Sequence, residues 1–471
     1  MGTSDMLPHS GHSRPRFRRS SSKDSSRSRS GGESDEEGPA PIPTVDAFLD
    51  DTLPEEYFKL DTLRLIHSLR ISAWSRVRDD MASDIGIYRI SGALTNAVYK
   101  ISPPSYIKEW VKNENPGRPY HHRVPQALLL RVYGLQAGVL IDREKELKVV
   151  ENLTRHSIGA KLLGIFSNGR FEQFLNARAL TKDDLRNPET SIQIAKRMRD
   201  LHEHIGLTKE QINEGPDVFA KISSWKGAFL DRLNKLSGGD PQYIEKLIGS
   251  DIETLFHAID EYKSFLVKRH GEDYFKQLVF SHNDTQYGNI LRVEPPKGSP
   301  LLMPQHEHRR LVVIDFEYAG PNNRAFDIAN HFCEWMCDYH HPAYPHHLWL
   351  DRYPNCEEQR RFLSSYVEHG AAVLDDSVIE PAVTRLQQEV AEWKPACSLH
   401  WALWGVIQAP KDVELELERL DKALAASGYE LEQWAPTEAN AERVDADFDY
   451  LAYSQEKFAL FWKDWQALKA Q

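Results

Sequence analysis

Apolar and polar positions alternate in the first part of the chain in the manner of β-strands. Short runs rich in branched apolar residues, bounded by glycine, proline or small polar residues, predict five strands. They occupy residues 85–90, 97–101, 126–133, 161–166 and 170–174. Helical spacing of apolar residues predicts helices over 53–78 and 141–155, whereas four prolines predict an exposed loop over 102–123.

The second part of the chain is mainly helical in its pattern, with two strand-like runs in its middle. Amphipathic spacing predicts helices over residues 191–204, 218–236, 250–267 and 324–338. The strand-like runs are residues 278–280 and 310–314, and each ends directly before polar and acidic residues.

Both of these strands lead into residues that phosphoryl transfer uses. The first is followed by Asp284 and, five positions later, by Asn289. Protein kinases have the same separation in the loop H-R-D-L-x-x-x-N, where the aspartate accepts the substrate hydroxyl proton and the asparagine binds magnesium. The second is followed by Asp315 in Asp-Phe-Glu, where kinases have D-F-G. We therefore predict that Asp284 is the base and that Asn289 and Asp315 bind Mg²⁺ across the phosphates of ATP. Ordinary polar turns are the alternative.

Composition argues against several other classes of protein. The chain has 471 residues and a formal net charge of −12, with no long basic stripe outside residues 1–44, so nucleic-acid binding is disfavoured. It shows no apolar run of 18 residues, which argues against a membrane span, and its polar N-terminus lacks the apolar core of a signal peptide. Four cysteines in so long a chain do not make a disulfide framework. These features predict a reduced, cytoplasmic protein.

The strings around the two motifs resemble the signatures of the choline/ethanolamine kinase family. They are residues 282–291 and 313–320, the second continuing through 324–335. The resemblance extends from about residue 85 to the C-terminus. It implies ATP-dependent phosphorylation of the hydroxyl of choline to give phosphocholine, the first step of phosphatidylcholine synthesis.

The same resemblance implies an α+β, bilobal protein-kinase-like fold. We expect a small N-terminal antiparallel-sheet lobe that binds the nucleotide over residues 45–176, and a large, mostly helical C-terminal lobe over residues 177–471 that carries the catalytic and amino-alcohol sites. Residues 1–44, rich in serine and arginine and then acidic, predict a disordered tail because they contain too little apolar surface to fold.

The nucleotide site is predicted from the strands of the first lobe. The turn after residue 90 contains one glycine and small residues that can offer backbone N–H groups to phosphates, although a plain hairpin is as good an explanation. The family resemblance places the nucleotide loop here, which assigns Ser91, Gly92, Ala93, Leu94, Thr95 and Asn96.

Arg131 interrupts an apolar strand, and a buried cation needs an anionic partner. In kinases the matching strand carries a lysine that contacts the phosphates, and in the family that this chain resembles the equivalent residue is commonly arginine. The resemblance therefore implies that Arg131 steadies the phosphates. The following helix offers Glu144 and Glu146, of which we favour Glu146, with a surface salt bridge as the alternative. By analogy with the kinase fold alone, Glu172 and Phe174 belong to the hinge that pairs with adenine.

The C-terminal region is unusually aromatic. Trp401 and Trp404 are three residues apart, as are Tyr450 and Tyr453, so each pair falls on one helix face. Ring faces can bind a quaternary ammonium group by cation–π attraction, but aromatic residues at this spacing more often fill a core. The family resemblance implies a substrate pocket. The substrate-binding set is Gln286, Glu317, Tyr318, Glu334, Tyr339, Trp401, Trp404, Tyr450 and Tyr453.

Several alternatives stay open at this point. Ethanolamine kinases tend to have Phe at the position of Tyr450, so the tyrosine favours choline over ethanolamine. A catalytically inactive kinase-like protein that binds a cationic ligand is a hypothesis of a different class, and an aminoglycoside-type or protein kinase is a third. The charged insertion 409–446 is longer than we expect for the family and could displace Tyr450 and Tyr453. A homodimer is also open.

The segment 331–341 contains two cysteines and three histidines and so resembles a metal cluster. Cys333 and Cys337 are four residues apart and could share a helix face, which makes zinc conceivable. Phe332 and Trp335 interleave with them as a core face, and free cysteine commonly behaves as a small buried apolar residue. We favour the core interpretation.

Overall fold

The computed structural model describes residues 42–90, 96–114, 123–133, 143–156, 158–295, 297–372, 375–427 and 448–470, without the side chains of 96, 143–146, 155 and 410–427. The predicted tail, apart from residues 42–44, and the loop residues Ser91, Gly92, Ala93, Leu94 and Thr95 therefore lie outside the described residues.

The described residues form eleven strands in three sheets. The strands are β1 (Thr44–Val45), β2 (Gly86–Arg89), β3 (Asn96–Ser102), β4 (Leu128–Tyr133), β5 (Leu162–Phe166), β6 (Gly169–Gln173), β7 (Ala177–Ala179), β8 (Leu278–Ser281), β9 (Ile290–Val293), β10 (Leu311–Val313) and β11 (Gly320–Asn323). The largest sheet has the order β1-β5-β6-β4-β3-β2 and is antiparallel except for the β1–β5 pair. The others have the orders β10-β9-β7 and β11-β8.

Helices make up most of the remaining described chain. They are α1 (Glu55–Ser68), α2 (Ile107–Asn113), α3 (Arg143–Arg155), α4 (Lys182–Arg186), α5 (Pro188–His204), α6 (Lys209–Glu214), α7 (Asp217–Ser237), α8 (Pro241–Ile248), α9 (Ile252–His270), α10 (Asp273–Lys276), α11 (Arg324–Glu334), α12 (Cys356–His369), α13 (Asp376–Ser427) and α14 (Tyr450–Lys469). A small sheet followed by many helices confirms the predicted α+β class. Among the helices in this list, none is both long and apolar enough to cross a membrane.

Two sequence predictions fail locally. The helix predicted over 53–78 ends at Ser68, because Arg70 and Ala73 have φ angles of 54° and 66°, which a right-handed helix cannot contain. Within the predicted loop 102–123 the structure has α2, whose Ile107 and Val111 are buried. Apolar residues four positions apart outweigh the flanking prolines there.

Each half of the chain has its own apolar core. One core lies between the large sheet and α1 and includes Trp74, Leu130 and Phe171. The other lies among the helices, where α13 packs against α7, α11, α12 and α14. A smaller third cluster joins Leu153 of α3 to Phe280 of β8 and to Val313 of β10. The ends of β8 and β10 therefore lie beside the junction of the two halves.

Candidate active site

The loop between β8 and β9 holds Asp284 and Asn289 next to each other. A 3₁₀ turn at Tyr287–Asn289 brings the asparagine back toward the aspartate. The Asn289 amide nitrogen donates to the Asp284 carboxylate at 2.8 Å and to its backbone carbonyl at 3.0 Å. The sequence separation of five residues therefore produces direct contact between the predicted base and a predicted metal ligand.

β10 ends at Val313, and Asp315 lies two residues later in a left-handed backbone conformation with φ of 67°. Such a conformation is uncommon for residues other than glycine and is concentrated at functional sites. Its Oδ1 atom lies 3.6 Å from a guanidinium nitrogen of Arg131 in β4, so the large sheet and the end of β10 meet here.

Asp327, at the start of α11, supports the loop from below. Its carboxylate accepts hydrogen bonds from the backbone N–H groups of His282 at 2.9 Å and Asn283 at 2.8 Å, and from the His202 ring at 2.9 Å. The Asp327 carboxylate therefore braces the backbone of the loop that carries Asp284. Burial opposes ionisation of Asp327, yet the hydrogen bond and charge of His202 hold its pKa below the usual value.

Negative charge is concentrated around Asp284. Burial is the main cause that raises its pKa well above the usual value, and the charges of Glu334, Asp315 and Glu317 raise it further. The hydrogen bond from Asn289 acts in the opposite direction. Three carboxylates that raise the pKa of a fourth in this way form a site that attracts cations.

The site fits a magnesium ion by the chemistry of its donors. Magnesium prefers oxygen ligands such as carboxylates and amide carbonyls. Asp315 Oδ1 is buried and accepts no hydrogen bond within the part of the chain that the structure describes. The amide oxygen of Asn289 accepts only a long hydrogen bond of 3.3 Å from Gln286 among these residues. Both predicted metal ligands thus keep an oxygen available.

Aromatic rings form one wall beside these carboxylates. Trp401 and Trp404 of α13 lie 5.4 Å apart, and Tyr318 lies 5.3 Å from Trp401. The Trp404 indole donates to the Tyr318 hydroxyl at 2.8 Å, and the Trp401 indole donates to Asn330 at 2.7 Å. These hydrogen bonds fix the orientation of both indole rings.

The two tyrosines of α14 join this wall. The Tyr450 ring lies 5.5 Å from that of Trp404 and the Tyr453 ring 6.4 Å from it. Phe448 packs on both tyrosines, at 4.9 Å and 5.3 Å. The charged insertion therefore does not displace Tyr450 and Tyr453 from the aromatic group, although residues 428–447 and the side chains of 410–427 lie outside the description.

Glu334 supplies a buried carboxylate next to the same rings. It is 1% exposed, and the Tyr339 hydroxyl donates to it at 2.6 Å. Burial raises its pKa, while the charge of Lys457 and the Tyr339 hydrogen bond lower it. The Tyr339 ring lies 6.2 Å from Phe448, which connects the carboxylate to the aromatic wall.

Two other predicted substrate residues, Gln286 and Glu317, lie close to Asp284. The Gln286 side chain caps the 3₁₀ turn by accepting from the Gly288 N–H at 2.7 Å. Glu317 is partly exposed beside Asp315, and its charge contributes to the raised pKa of Asp284.

The predicted nucleotide residues of the sheet are only partly described. Asn96 begins β3 and Glu146 lies in α3, but both side chains are outside the description. Glu172 is inside β6, paired on both sides by β4 and β5, and its carboxylate accepts from Arg170 at 2.5 Å and lies 3.9 Å from Arg131. Because the sheet occupies its backbone, Glu172 suits the pairing of arginines better than the pairing of adenine. Phe174 follows the strand, under the Lys100 ammonium at 4.6 Å.

Several residues of the site were missed in the sequence. The only sequence signal for Phe448 is its position two residues before Tyr450. His202, Asn330 and Lys457 belong to three different helices, α5, α11 and α14. His282 also has a positioning role, since its Nε2–H donates to the Ile314 carbonyl at 2.9 Å and so ties the two motifs together.

The first part of the cysteine and histidine segment, residues 331–338, is buried core, as favoured from the sequence, whereas His340 is exposed. Cys333 and Cys337 are buried, and burial raises the pKa of each thiol, which keeps it protonated. The His331 ring bonds to the Thr285 carbonyl at 2.9 Å.

Comparison with known proteins gives matches along most of the chain. Residues 87–462 match the family model described as choline/ethanolamine kinase, and residues 36–83 match the one described as choline kinase N terminus. A choline kinase of Saccharomyces cerevisiae is 35% identical, over 90% of this chain and 78% of the relative. A choline kinase of Schizosaccharomyces pombe is also 35% identical, over 89% of this chain and 91% of the relative. An ethanolamine kinase of Saccharomyces cerevisiae is 31% identical, over 89% of this chain and 78% of the relative.

Solved structures show the same fold. A choline kinase from Cryptosporidium parvum superposes with a TM-score of 0.59 at 20% identity, covering 87% of this chain and 96% of that one. An ethanolamine kinase from Plasmodium vivax gives a TM-score of 0.53 at 21% identity, covering 88% of this chain and 95% of that one.

Proposed function

The chain belongs to the choline/ethanolamine kinase family, and on that premise we propose that it transfers the γ-phosphoryl group of ATP to the hydroxyl of choline. The products are phosphocholine and ADP. One observation supports this assignment most directly. The base Asp284 and the buried carboxylate Glu334 are close enough for the charge of Glu334 to raise the pKa of Asp284. Glu334 also accepts a hydrogen bond from Tyr339, whose ring lies 6.2 Å from that of Phe448 in the aromatic wall.

The substrate cation would lie between Glu334 and the rings. A quaternary ammonium group has no N–H to donate, so it is held by charge and by ring faces, each contributing about 0.5 to 2 kcal/mol. The Trp404 ring contacts those of Trp401, Tyr450 and Tyr453, and two packed helices present the four rings. A rigid wall of this kind needs little reorganisation on binding.

Asp284 would orient the hydroxyl of choline and take its proton. Its carboxylate is fixed by the Asn289 amide at 2.8 Å, and the loop is held by Asp327 through two backbone N–H groups. A positioned base contributes about 10² to 10⁴ in rate. The substrate ammonium adds positive charge near Asp284 and so favours its ionised form.

Asn289 and Asp315 would hold Mg²⁺, and Arg131 would lie along the phosphates of ATP. The ion, when bound, neutralises charge on the transferring phosphoryl group. Arg131 is 7% exposed and is kept in place between Asp315 at 3.6 Å and Glu172 at 3.9 Å. The loop Ser91–Asn96 and the hinge residue Phe174 complete the proposed nucleotide site.

Ethanolamine is the second candidate substrate. The family includes an ethanolamine kinase 31% identical to this chain, and a primary ammonium group could donate hydrogen bonds to Glu334. The tyrosine at 450 and the rings around Trp404 favour the methylated ammonium, because it has larger apolar surface to bury.

The decisive experiment is a comparison of substrates with purified full-length protein and MgATP. We expect phosphocholine to form with a higher kcat/KM than phosphoethanolamine, and no phosphorylation of a peptide. Asp284→Asn should lower kcat about 10³-fold. The control is Asp183→Asn, an exposed aspartate of α4, which should leave the rate unchanged.

Other outcomes would change the assignment in defined ways. A preference for ethanolamine would move the proposal to that substrate. Choline binding in a calorimeter without turnover would indicate an inactive kinase-like protein, and full activity of Asp284→Asn would remove the base from the mechanism.

A further inference from the structure

Away from the active site, three segments bring together two histidines and an aspartate. Asp200 is in α5, His308 is in the 3₁₀ segment Pro304–Arg310 that precedes β10, and His369 is the last residue of α12. One carboxylate oxygen and one ring nitrogen from each histidine lie within 4.8 Å of one another. Ligand atoms around a tetrahedral zinc ion are about 3.3 Å apart, so only small adjustments would separate this group from a zinc site.

The carboxylate of Asp200 is oriented like a metal ligand. Its Oδ2 accepts from Arg197 at 2.6 Å, and its Oδ1 is paired with the His369 Nε2 at 2.8 Å. Carboxylates that bind metals are themselves held by hydrogen bonds from further groups, and Arg197 provides such a bond. Burial opposes ionisation of Asp200, but hydrogen bonds from His369 and Arg197 hold its pKa below the usual value.

His308 gives an independent indication of a ligand. The side chain is 8% exposed, and its Nε2 points to Asp200 Oδ2 at 3.6 Å, too far for a hydrogen bond. Within the part of the chain that the structure describes, neither ring nitrogen of His308 forms a hydrogen bond. An imidazole nitrogen that has no hydrogen-bond partner can bind a metal ion.

We propose that Asp200, His308 and His369 form a binding site for a zinc ion, with water or another small ligand completing the coordination. Two imidazoles and one carboxylate are a ligand set that zinc accepts, and imidazole favours zinc over magnesium. The surrounding protein holds these groups in place. Arg197 of α5 donates a hydrogen bond to the Asp200 carboxylate, and the His369 ring lies 4.9 Å from that of His308.

The site is structural rather than catalytic. The zinc ion would tie α5 and α12 to the segment that leads into β10, the strand that ends before Asp315. Arg197 already connects α5 to this strand, since its Nε donates to the Leu311 carbonyl at 2.9 Å. Binding of zinc would therefore stabilise the folded chain without changing the groups that contact substrate.

The test measures zinc directly on full-length protein whose purification tag has been removed. The protein is treated with EDTA, incubated with ZnCl₂ in the presence of excess MgCl₂ to occupy the magnesium ligands, and passed through a gel-filtration column. Elemental analysis should then give one zinc per chain. The melting temperature should rise by a few degrees with zinc, because zinc binds the folded state.

Matched histidine variants locate the ion. His308→Gln and His369→Gln should each lower zinc affinity at least tenfold and remove the shift in melting temperature. His306→Gln, two residues away in the same 3₁₀ segment, should bind zinc like the unmodified protein. Cobalt-substituted protein should show visible absorption bands that disappear in His369→Gln.

Two results would overturn the proposal. One is an unmodified chain that retains no zinc after gel filtration, and the other is equal zinc retention by His369→Gln, which would place the ion elsewhere. His369 is partly exposed, with 24% of its side chain accessible, so this variant decides the matter even where His308→Gln fails to fold.

Discussion

The single residues of the active site owe their properties mainly to burial and to one another. Asp284 has a raised pKa because it is buried among the charges of Glu334, Asp315 and Glu317. Asp327, equally buried, has a lowered pKa because it accepts hydrogen bonds from His202, His282 and Asn283. Two aspartates on one loop and the helix beneath it are thus adjusted in opposite directions by their neighbours.

The raised pKa of Asp284 predicts the pH dependence of the reaction. Because the protonated form persists to higher pH than for an ordinary aspartate, and only the ionised form can accept a proton, kcat/KM should fall as the pH falls through this raised pKa. The acid limb of the profile reports the free enzyme. Glu334→Gln removes one of the charges that raise the pKa, so its acid limb should lie at lower pH. An acid limb that does not move would show that the charge of Glu334 does not affect the pKa of Asp284.

Glu334 is expected to act in binding rather than in chemistry. Glu334→Gln keeps the volume and an oxygen for the Tyr339 hydroxyl but removes the charge that faces the ammonium group. KM for choline should rise about 10- to 100-fold, the equivalent of about 1.4 to 2.7 kcal/mol, while kcat at neutral pH changes little. Steady-state rates with varied choline measure this. KM for ATP serves as the internal control, and a rise in both KM values would indicate general damage to the fold.

At the level of elements, α11 connects the catalytic loop to the helical core. Its Asp327 binds the loop after β8. The His202 that donates to Asp327 belongs to α5, and its other ring nitrogen is hydrogen-bonded to the Tyr366 hydroxyl of α12 at 2.8 Å. Three helices therefore determine the position of the loop that carries Asp284. A base held by such a chain of hydrogen bonds keeps its geometry without help from the substrate.

Removal of the charge on Asp327 should affect both stability and rate. Asp327→Asn replaces an acceptor of three hydrogen bonds by an amide whose NH₂ faces N–H donors, which should cost about 3 kcal/mol in the free energy of unfolding. The lowered pKa of Asp327 means that its stabilising charge is present above the usual aspartate pKa and is lost as the pH falls through the folded value.

Urea unfolding at neutral pH measures this loss, and kcat should fall together with it because the loop is released. Asp251→Asn is the control: Asp251 caps α9 at the surface and should have a smaller effect on stability and none on kcat. A variant of Asp327 with normal stability and normal kcat would contradict the bracing role.

At the scale of the whole molecule, the sequence predicted the elements and motifs that depend on local pattern. The strands leading to Asp284 and Asp315 were found because apolar runs and polar ends are contiguous in the chain. The aromatic pairs on α13 and α14 were found because a spacing of three residues places them on one face.

Features that depend on distant segments could not be found in this way. The strand β11, with the sequence Gly-Pro-Asn-Asn, has little strand propensity and forms because it pairs with β8. The residues Asp200, His308 and His369 are far apart in sequence, and no spacing predicts that three elements bring them together. The spacing of Cys333 and Cys337 made zinc conceivable there, and the favoured interpretation of these cysteines as core agrees with their burial.

The meeting of the large sheet with the helical half also predicts how the two substrates bind. Arg131 belongs to the sheet, yet it lies 3.6 Å from Asp315 at the end of β10, whereas the rings and Glu334 belong to the helical half alone. Arg131→Met should therefore raise KM for ATP about tenfold or more and leave KM for choline nearly unchanged. It should also abolish the rise in melting temperature that MgATP gives the unmodified protein.

The fold should tolerate this change, because the buried carboxylate of Glu172 still has Arg170 as a partner at 2.5 Å. Arg178→Met, which removes a partly exposed arginine of β7, is the matched control and should alter neither KM value. Equal weakening of ATP and choline by Arg131→Met would mean that the sheet positions both substrates. The separation of nucleotide binding from amino-alcohol binding between the two halves would then be wrong, even with the chemistry at Asp284 intact.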